Sequence, residues 1–270
     1  MQIRGKVVVV TGAARGIGAA LARRFVAEGA AGVAVSDLDG QGAAALAAEL
    51  DCDATRVVAA TTDVSVEAEV RDLVRLAEAE LGPIDVFCSN AGIATGLGLD
   101  ASEESWAAIW RVNVLAHVFA ARAVVPGMVE RGGGYLVQTA SAAGLLIQPG
   151  DAPYSVTKHA AVALAEWLSL TYGDQGVRVS VVCPQGVRTD LLMSGLEAGE
   201  PSARAVALAG TLLEPEEVAA AVVEGMAAER LLILPHPEVA EYVRRKAADP
   251  DRWLAGMRRL VGMLDANQPD

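Results

Sequence analysis

Short runs of consecutive apolar residues, rich in valine, alternate along the chain with longer segments in which alanine and leucine recur at helical spacing. Seven of the short runs predict strands: Lys6–Val10, Gly32–Ser36, Arg56–Thr61, Ile84–Ser89, Tyr135–Thr139, Val177–Cys183 and Leu231–Leu234. Most are apolar without alternation, so both faces of their sheet should be covered, as in parallel sheets. Helices are predicted between them at about 16–28, 40–50, 65–81, 101–130, 152–174 and 214–228. Ser65 and Ser102 stand at N-cap positions, and Pro215 with Glu216 and Glu217 suits a first helical turn. The alternation predicts an α/β fold built from βαβ units. No linker rich in Pro, Gly or Ser interrupts it, so residues 1–235 read as one domain. Two regions stand outside the pattern. Leu191–Leu213 lacks a clear period and is expected to be a mobile flap spanning about 190–213, and 236–270 is expected to be a C-terminal extension of one or two Arg-rich helices.

Composition narrows the function classes. A chain of 270 residues with 53% hydrophobic and 21% charged residues buries a sizeable core, and with 4% aromatics that core is mostly Ala, Val and Leu. The 34 acidic residues outweigh 22 basic ones, a net charge of −12, which leaves no basic stripe for nucleic acid or an anionic membrane. Val7–Val10 is far short of a secretory apolar segment of about 7–15 residues. The longest uncharged stretch, Gly132–Gly150, is broken by glycines, a proline and polar residues. A cytoplasmic location without a membrane span is therefore expected. Cys52, Cys88 and Cys183 are far apart with no CxxC pair, which argues against a disulfide framework or zinc ribbon. His117, His159 and His236 lack metal-ligand spacing and read as surface or helix-packing histidines.

The chemistry is concentrated at the strand ends. The first strand runs into Thr11-Gly12-Ala13-Ala14-Arg15-Gly16-Ile17-Gly18, and a helical pattern follows at once. Such a turn lets backbone N–H groups approach a pyrophosphate while the helix N-terminus adds partial positive charge. Its spacing is GxxxGxG rather than GxGxxG. Asp37 ends the second strand 19 residues beyond Gly18, where a carboxylate can bind adenosine ribose hydroxyls. Tyr154 and Lys158 are four apart and share a helix face, where an ammonium beside a phenol favours the phenolate. Ser141 lies 13 residues before Tyr154 at a strand end, and Lys158 is one of only three lysines, Lys6 and Lys246 being the others.

These motifs, in this order over about residues 5–235, resemble the short-chain dehydrogenases/reductases of ordinary length. The family's TGxxxGxG matches Thr11 to Gly18, its adenine-contacting Asp matches Asp63 with Val64 after it, and its NAG matches Asn90-Ala91-Gly92. Its helix asparagine matches Asn113, its serine Ser141, and its YxxxK Tyr154 to Lys158. The resemblance implies a single Rossmann-like, doubly wound domain with a seven-stranded parallel sheet. It implies hydride transfer between a nicotinamide and an alcohol or carbonyl. Tyr154 would exchange the hydroxyl proton, Ser141 would hydrogen-bond the substrate oxygen, Lys158 would lower the tyrosine pKa and hold the ribose, and Asn113 would anchor a water relay.

The same resemblance assigns the cofactor to Gly12, Arg15, Gly16, Ile17, Gly18, Asp37, Leu38, Asp63, Val64, Asn90, Ala91, Gly92, Tyr154, Lys158, Pro184, Gly186, Val187 and Thr189. It rings the substrate with Ala143, Leu145, Gln148, Gln185, Leu191 and Met193, a mostly apolar set suited to an uncharged secondary alcohol or its ketone. Gln185 departs from the family's PGxVxT, replacing its glycine. Asp37 favours NAD, whereas Arg15 would serve a 2′-phosphate in an NADPH-dependent ketoreductase, and a non-catalytic cofactor-binding regulator is a further alternative. No metal is expected. The helix after Lys158 is apolar almost all round and needs cover on both sides; the family's tetramers pair it and the one at 101–130 across a twofold axis, so the resemblance implies a homotetramer, with a dimer as the alternative.

Overall fold

The structure, a computed structural model, describes residues 1–266; residues 267–270, the end of the expected extension, lie outside the described residues. Seven strands form one parallel sheet: β1 (Val7–Thr11), β2 (Gly32–Asp37), β3 (Arg56–Thr61), β4 (Val86–Ser89), β5 (Gly134–Thr139), β6 (Val177–Val182) and β7 (Leu232–Ile233). Their order is β3-β2-β1-β4-β5-β6-β7. The chain winds outward one way from β1 and then returns to pair β4 on its other side, Val8 being in register with both Val33 and Val86. That reversal opens a crevice at the carboxyl ends of β1 and β4, where doubly wound sheets bind ligands.

The run Val7–Val10 shows why unbroken apolar strands arise here. Val7 and Val9 face one core, with Leu73, Phe87, Phe119, Met128 and Leu168. Val8 and Val10 face the other, with Leu21, Phe25, Leu46, Val218 and Met226. Side chains still alternate with period two, but both faces are dry. The first core is roofed by α3 (Glu67–Leu81), α5 (Ala116–Glu130) and α6 (Ala152–Tyr172), the second by α1 (Gly16–Ala27), α2 (Gly40–Leu50) and α9 (Pro215–Ala227).

Four expectations change. Ser65 does not cap α3: the Asp63 carboxylate takes the Ser65 N–H at 2.9 Å, and the helix starts two residues later with Val66 at its N-cap. Ser102 does cap its helix, accepting the Ser105 N–H at 3.2 Å. That helix, read as one run over 101–130, is α4 (Glu103–Trp110), a π-helical turn over Arg111–Leu115, and then α5. The run Glu103–Glu130 is long and apolar enough to cross a membrane, yet more than half of its apolar window is buried as core. Third, the segment after β6 is not irregular but folds as α7 (Asp190–Glu197) and α8 (Pro201–Leu208), each too short to display a period in sequence.

The fourth concerns His236, which is neither on the surface nor on a helix. It is fully buried after β7, its Nδ1 accepts the Gln185 N–H at 3.1 Å, and Nε2 lies 3.1 Å from the Gly186 carbonyl and 3.2 Å from that of Thr211. One ring therefore joins β7, the turn after β6 and the end of the α7–α8 segment. Beyond it, α10 (Glu238–Ala248) and α11 (Pro250–Ala266) fold back so that Val239, Tyr242, Val243 and Trp253 pack on Leu145, Leu146 and Leu234.

Candidate active site

The turn from β1 to α1 is built for close approach. Gly12 has φ +64°, and a Cβ there would stand 2.8 Å from the Cα of Ala91. At Gly18 a Cβ would lie 2.0 Å from the Gly12 carbonyl oxygen, so the helix can seat against the turn only with glycine in that place. No side chain caps α1, whose N-cap is Arg15, which leaves its first N–H groups directed at the cavity lined by Gly12, Arg15, Gly16 and Ile17. A phosphate pair fits such a cradle. The cavity, about 420 Å³, continues past Asp37, Leu38, Asp63 and Val64 at one end and past Asn90, Ala91 and Gly92 to Ser141, Tyr154 and Lys158 at the other. Asp37 is fixed by two backbone donors, Ala14 N–H and Asp39 N–H, each at 3.0 Å.

Asn90 ties three strand ends together. Its Nδ2 donates to the carbonyls of Thr11 (3.0 Å) and Gly12 (3.2 Å), while its Oδ1 accepts from the Thr139 hydroxyl at 3.1 Å. Thr11 Oγ1 in turn accepts the N–H groups of Asn90 and Ala91. Asn113 sits in the π-helical turn, a geometry that recurs at functional sites. It is fully buried, with Oδ1 accepting the Ile93 N–H at 2.9 Å and Nδ2 donating to the Ile93 carbonyl at 2.9 Å and to Thr157 Oγ1 at 3.3 Å. Lys158 Nζ donates to the Thr139 carbonyl at 3.0 Å and stands 5.5 Å from the centre of the Tyr154 ring.

Asp151 was missing from the sequence-based site. Its buried carboxylate caps α6 through the Tyr154 N–H at 2.9 Å and also accepts Thr95 N–H, Thr95 Oγ1–H and Gly96 N–H at 2.7 to 2.8 Å. The Asp-Ala-Pro start of the YxxxK helix was its one visible sign. Of the other expected residues, Pro184, Val187, Thr189, Gln148, Gln185 and Leu191 line the large cavity. Gly18, Asn113 and Gly186 are not among the residues that line it. Leu145 and Met193 correct the substrate set. Leu145 turns toward the tail, packing with the cluster of Tyr242 and Trp253, and Met193, on the half-buried side of α7, lines neither this cavity nor its neighbour. Ala143 lines the neighbouring cavity instead.

The expectation that Lys158 drives Tyr154 toward phenolate also changes. Burial pushes the phenol up to about 12, with Asp151 and Cys183 adding to the rise, and the Ser141 hydroxyl pulls the other way. Burial likewise brings the Lys158 ammonium down to about 8. Withdrawal from water is the leading cause of both shifts. The depressed lysine has a consequence for stability. Below pH 8 its charge is held against its preference, and between about 8 and the ordinary 10.5 the folded chain gains stability as pH rises, because the unfolded chain binds more protons. Lys158→Met should therefore be more stable than wild type at pH 7 in urea unfolding, with the gap narrowing from pH 8 to 10; a gap independent of pH would refute the assignment.

Comparison with known proteins agrees with this geometry. Residues 6–199 match the short chain dehydrogenase family. The chain is 36% identical over 257 residues to a 1-deoxy-11-beta-hydroxypentalenate dehydrogenase of Streptomyces exfoliatus, covering 94% of this chain and 90% of that protein. It is 37% identical over 222 residues to the meso-2,3-butanediol dehydrogenase of Serratia marcescens, covering 82% and 86%. A short chain dehydrogenase/reductase from Burkholderia phymatum, solved in complex with NAD, superposes with a TM-score of 0.85 at 29% identity over 93% of this chain and 96% of that one. The chain belongs to the short-chain dehydrogenase/reductase family, oxidoreductases of alcohols and ketones that bind a nicotinamide cofactor.

Proposed function

We propose that the protein is an NAD-dependent oxidoreductase that interconverts an apolar secondary alcohol and its ketone. The observation that carries this reading is the meeting of Ser141, Tyr154 and Lys158 at one end of a cavity whose other end is the glycine turn and Asp37. The nicotinamide, when bound, supplies the hydride acceptor or donor. Tyr154, which keeps its proton at neutral pH, gives it to a carbonyl oxygen, or, in the oxidising direction, first passes it along the relay toward Lys158 and then takes the proton of the substrate hydroxyl. Ser141 orients the same oxygen. Lys158 replenishes the proton, and Asn113, fixed to Ile93 and Thr157, holds the relay in place. Likeness to dehydrogenases named for a hydroxypentalenate and for meso-2,3-butanediol supports alcohol chemistry. The intact proton machinery argues against a non-catalytic regulator.

For the cofactor, Asp37 would face a 2′-phosphate, and Arg15, the cation that would welcome one, already pairs with Asp190 at 3.5 Å. The Asp37 carboxylate weakens the NADPH-dependent alternative, whereas an exposed pair such as Arg15–Asp190 contributes little either way. A cytoplasmic location accords with free thiols at Cys52, Cys88 and Cys183. Neither nucleic acid nor membrane is proposed as a partner. The working assembly is proposed to be a homotetramer, with a dimer as the alternative. Its support is the apolar surface left by Trp110 on α4 and by Val156, Trp167 and Leu170 on α6, Leu170 being 85% exposed.

Three measurements test this reading. Tyr154→Phe keeps the ring and removes the hydroxyl, so turnover of a good alcohol should fall by about 10²–10⁴ with cofactor binding preserved; retention of half the activity would overturn the mechanism. A like-charge contact at Asp37 costs several kcal/mol, so kcat/KM with NAD should exceed that with NADP by about a hundredfold or more. A preference for NADP would make Arg15 the dominant group. Light scattering at micromolar concentration should give four subunits, and a monomer would refute the assembly.

A further inference from the structure

Beside the cofactor cavity lies a second one of about 240 Å³, and the two share Ser141, Gln148, Gln185 and Val206. The second therefore begins at the catalytic serine and continues past Ala205 and Ala209 at the α8 end of the chain's flap to α11. On α11, Trp253, Met257 and Leu260 fall at i, i+4 and i+7, so one half-buried face of that helix forms the far wall, while Arg252, Arg258 and Arg259 are exposed. This wall is braced. Lys246 Nζ on α10 donates to the carbonyls of Leu145 (2.8 Å) and Leu146 (3.0 Å), in the loop that leaves Ser141. Val239 is buried in one cluster with Ala142 and Leu146, and the Tyr242 and Trp253 ring centres are 6.1 Å apart. The tail helices are thus fastened to the loop of the catalytic serine, and the space between them belongs to the same site.

No charged side chain lines this chamber. A carboxylate, phosphate or ammonium entering it would lose its hydration and find no counter-charge. An apolar body instead gains by leaving water, and a rigid one gains more, because it has no rotamers to lose. Size narrows the occupant further. A cavity of about 150 Å³ already holds a benzene ring, so one of about 240 Å³ takes a body of two fused rings. We propose that the chamber receives the hydrocarbon skeleton of the substrate, with Met257 and Leu260 as specificity-determining residues, so that the preferred substrate is an uncharged alicyclic secondary alcohol of at least two fused rings, or its ketone. The reacting oxygen stays with Ser141 and Tyr154, and the ring remote from it lies between α8 and α11. This rests on the alcohol dehydrogenase reading.

The probes are cyclohexanol and decahydro-2-naphthol, compared by kcat/KM with NAD. The bicyclic alcohol adds four ring carbons, each worth about fourfold when buried, so it should exceed cyclohexanol by about a hundredfold. Met257→Trp and Leu260→Trp fill the far end of the chamber and should each bring that ratio below about tenfold. Met257→Ala acts in the opposite sense, raising kcat/KM for the tricyclic perhydroanthracen-2-ol relative to the bicyclic alcohol by about fivefold or more, and it keeps the test open if a tryptophan variant does not fold. If α11 only packs against the domain, the variants lower all the alcohols alike and leave the ratios unchanged; that result overturns the proposal, as does a wild-type ratio near one. Calorimetric binding of the same alcohols to Tyr154→Phe with NAD reads the chamber without turnover. Tighter binding of the bicyclic alcohol, with no turnover of any alcohol by the wild type, would sustain the chamber and retire the dehydrogenase reading. Turnover without a size preference would retire the chamber alone, and neither turnover nor preferential binding would retire both.

Discussion

A single buried carboxylate holds the reacting end of the molecule together. Asp151 gathers donors from Thr95, Gly96 and the first turn of α6, so the loop leaving β4 and the helix bearing Tyr154 and Lys158 cannot move independently. The Ala152 N–H to Leu97 carbonyl bond, 3.0 Å, continues the seam by one more residue. Upstream in the same loop, Ile93 is gripped by Asn113, and upstream of that Asn90 closes on the β1 turn. Phosphate cradle, loop and catalytic helix thus form one continuous hydrogen-bonded structure, with Asp151 as its least replaceable member because four donors converge on two oxygens. Charge-assisted bonds of this kind are about twice as strong as neutral ones.

The chemistry that this frame supports depends on dryness. Burial makes Tyr154 a poorer acid than a free phenol and Lys158 a readier proton donor than a free ammonium. The neighbouring His117 shows the limit of the same effect. Fully buried, with neither ring nitrogen hydrogen-bonded, it is brought down to about 3 by burial and by the nearby Lys158 charge, and stays neutral. The interior around the lysine therefore tolerates one positive charge and no second.

Much of this was legible in the sequence. All seven strands appear where short apolar runs predict them, and in the five central ones burial on both faces leaves a signal that needs no periodicity. The glycine turn and the Tyr154–Lys158 spacing were legible because sterics and helix geometry fix their residue types locally. What escaped was set by distance. Asp151 looks like an ordinary cap until the loop at Thr95 is folded against it, and the π-helical turn at Asn113 has no signature of its own. The helices at 190–208 are too short to establish a period. Leu145 was assigned to the substrate because nothing local reveals that Tyr242 and Trp253, about a hundred residues away, cover it.

The family match ends at residue 199, before α8, α10 and α11. Those helices supply Ala205, Tyr242, Trp253 and Met257 to the second cavity, whereas strands and helices inside the matched span supply the proton machinery and the cofactor cradle. Proton handling and the far wall of that cavity are thus written in different stretches of the same polypeptide. Substitutions in the last third can remodel what the chamber accepts without disturbing a single group that handles the proton, so an exchange of tails between relatives is a route to new selectivity that leaves the reaction itself untouched.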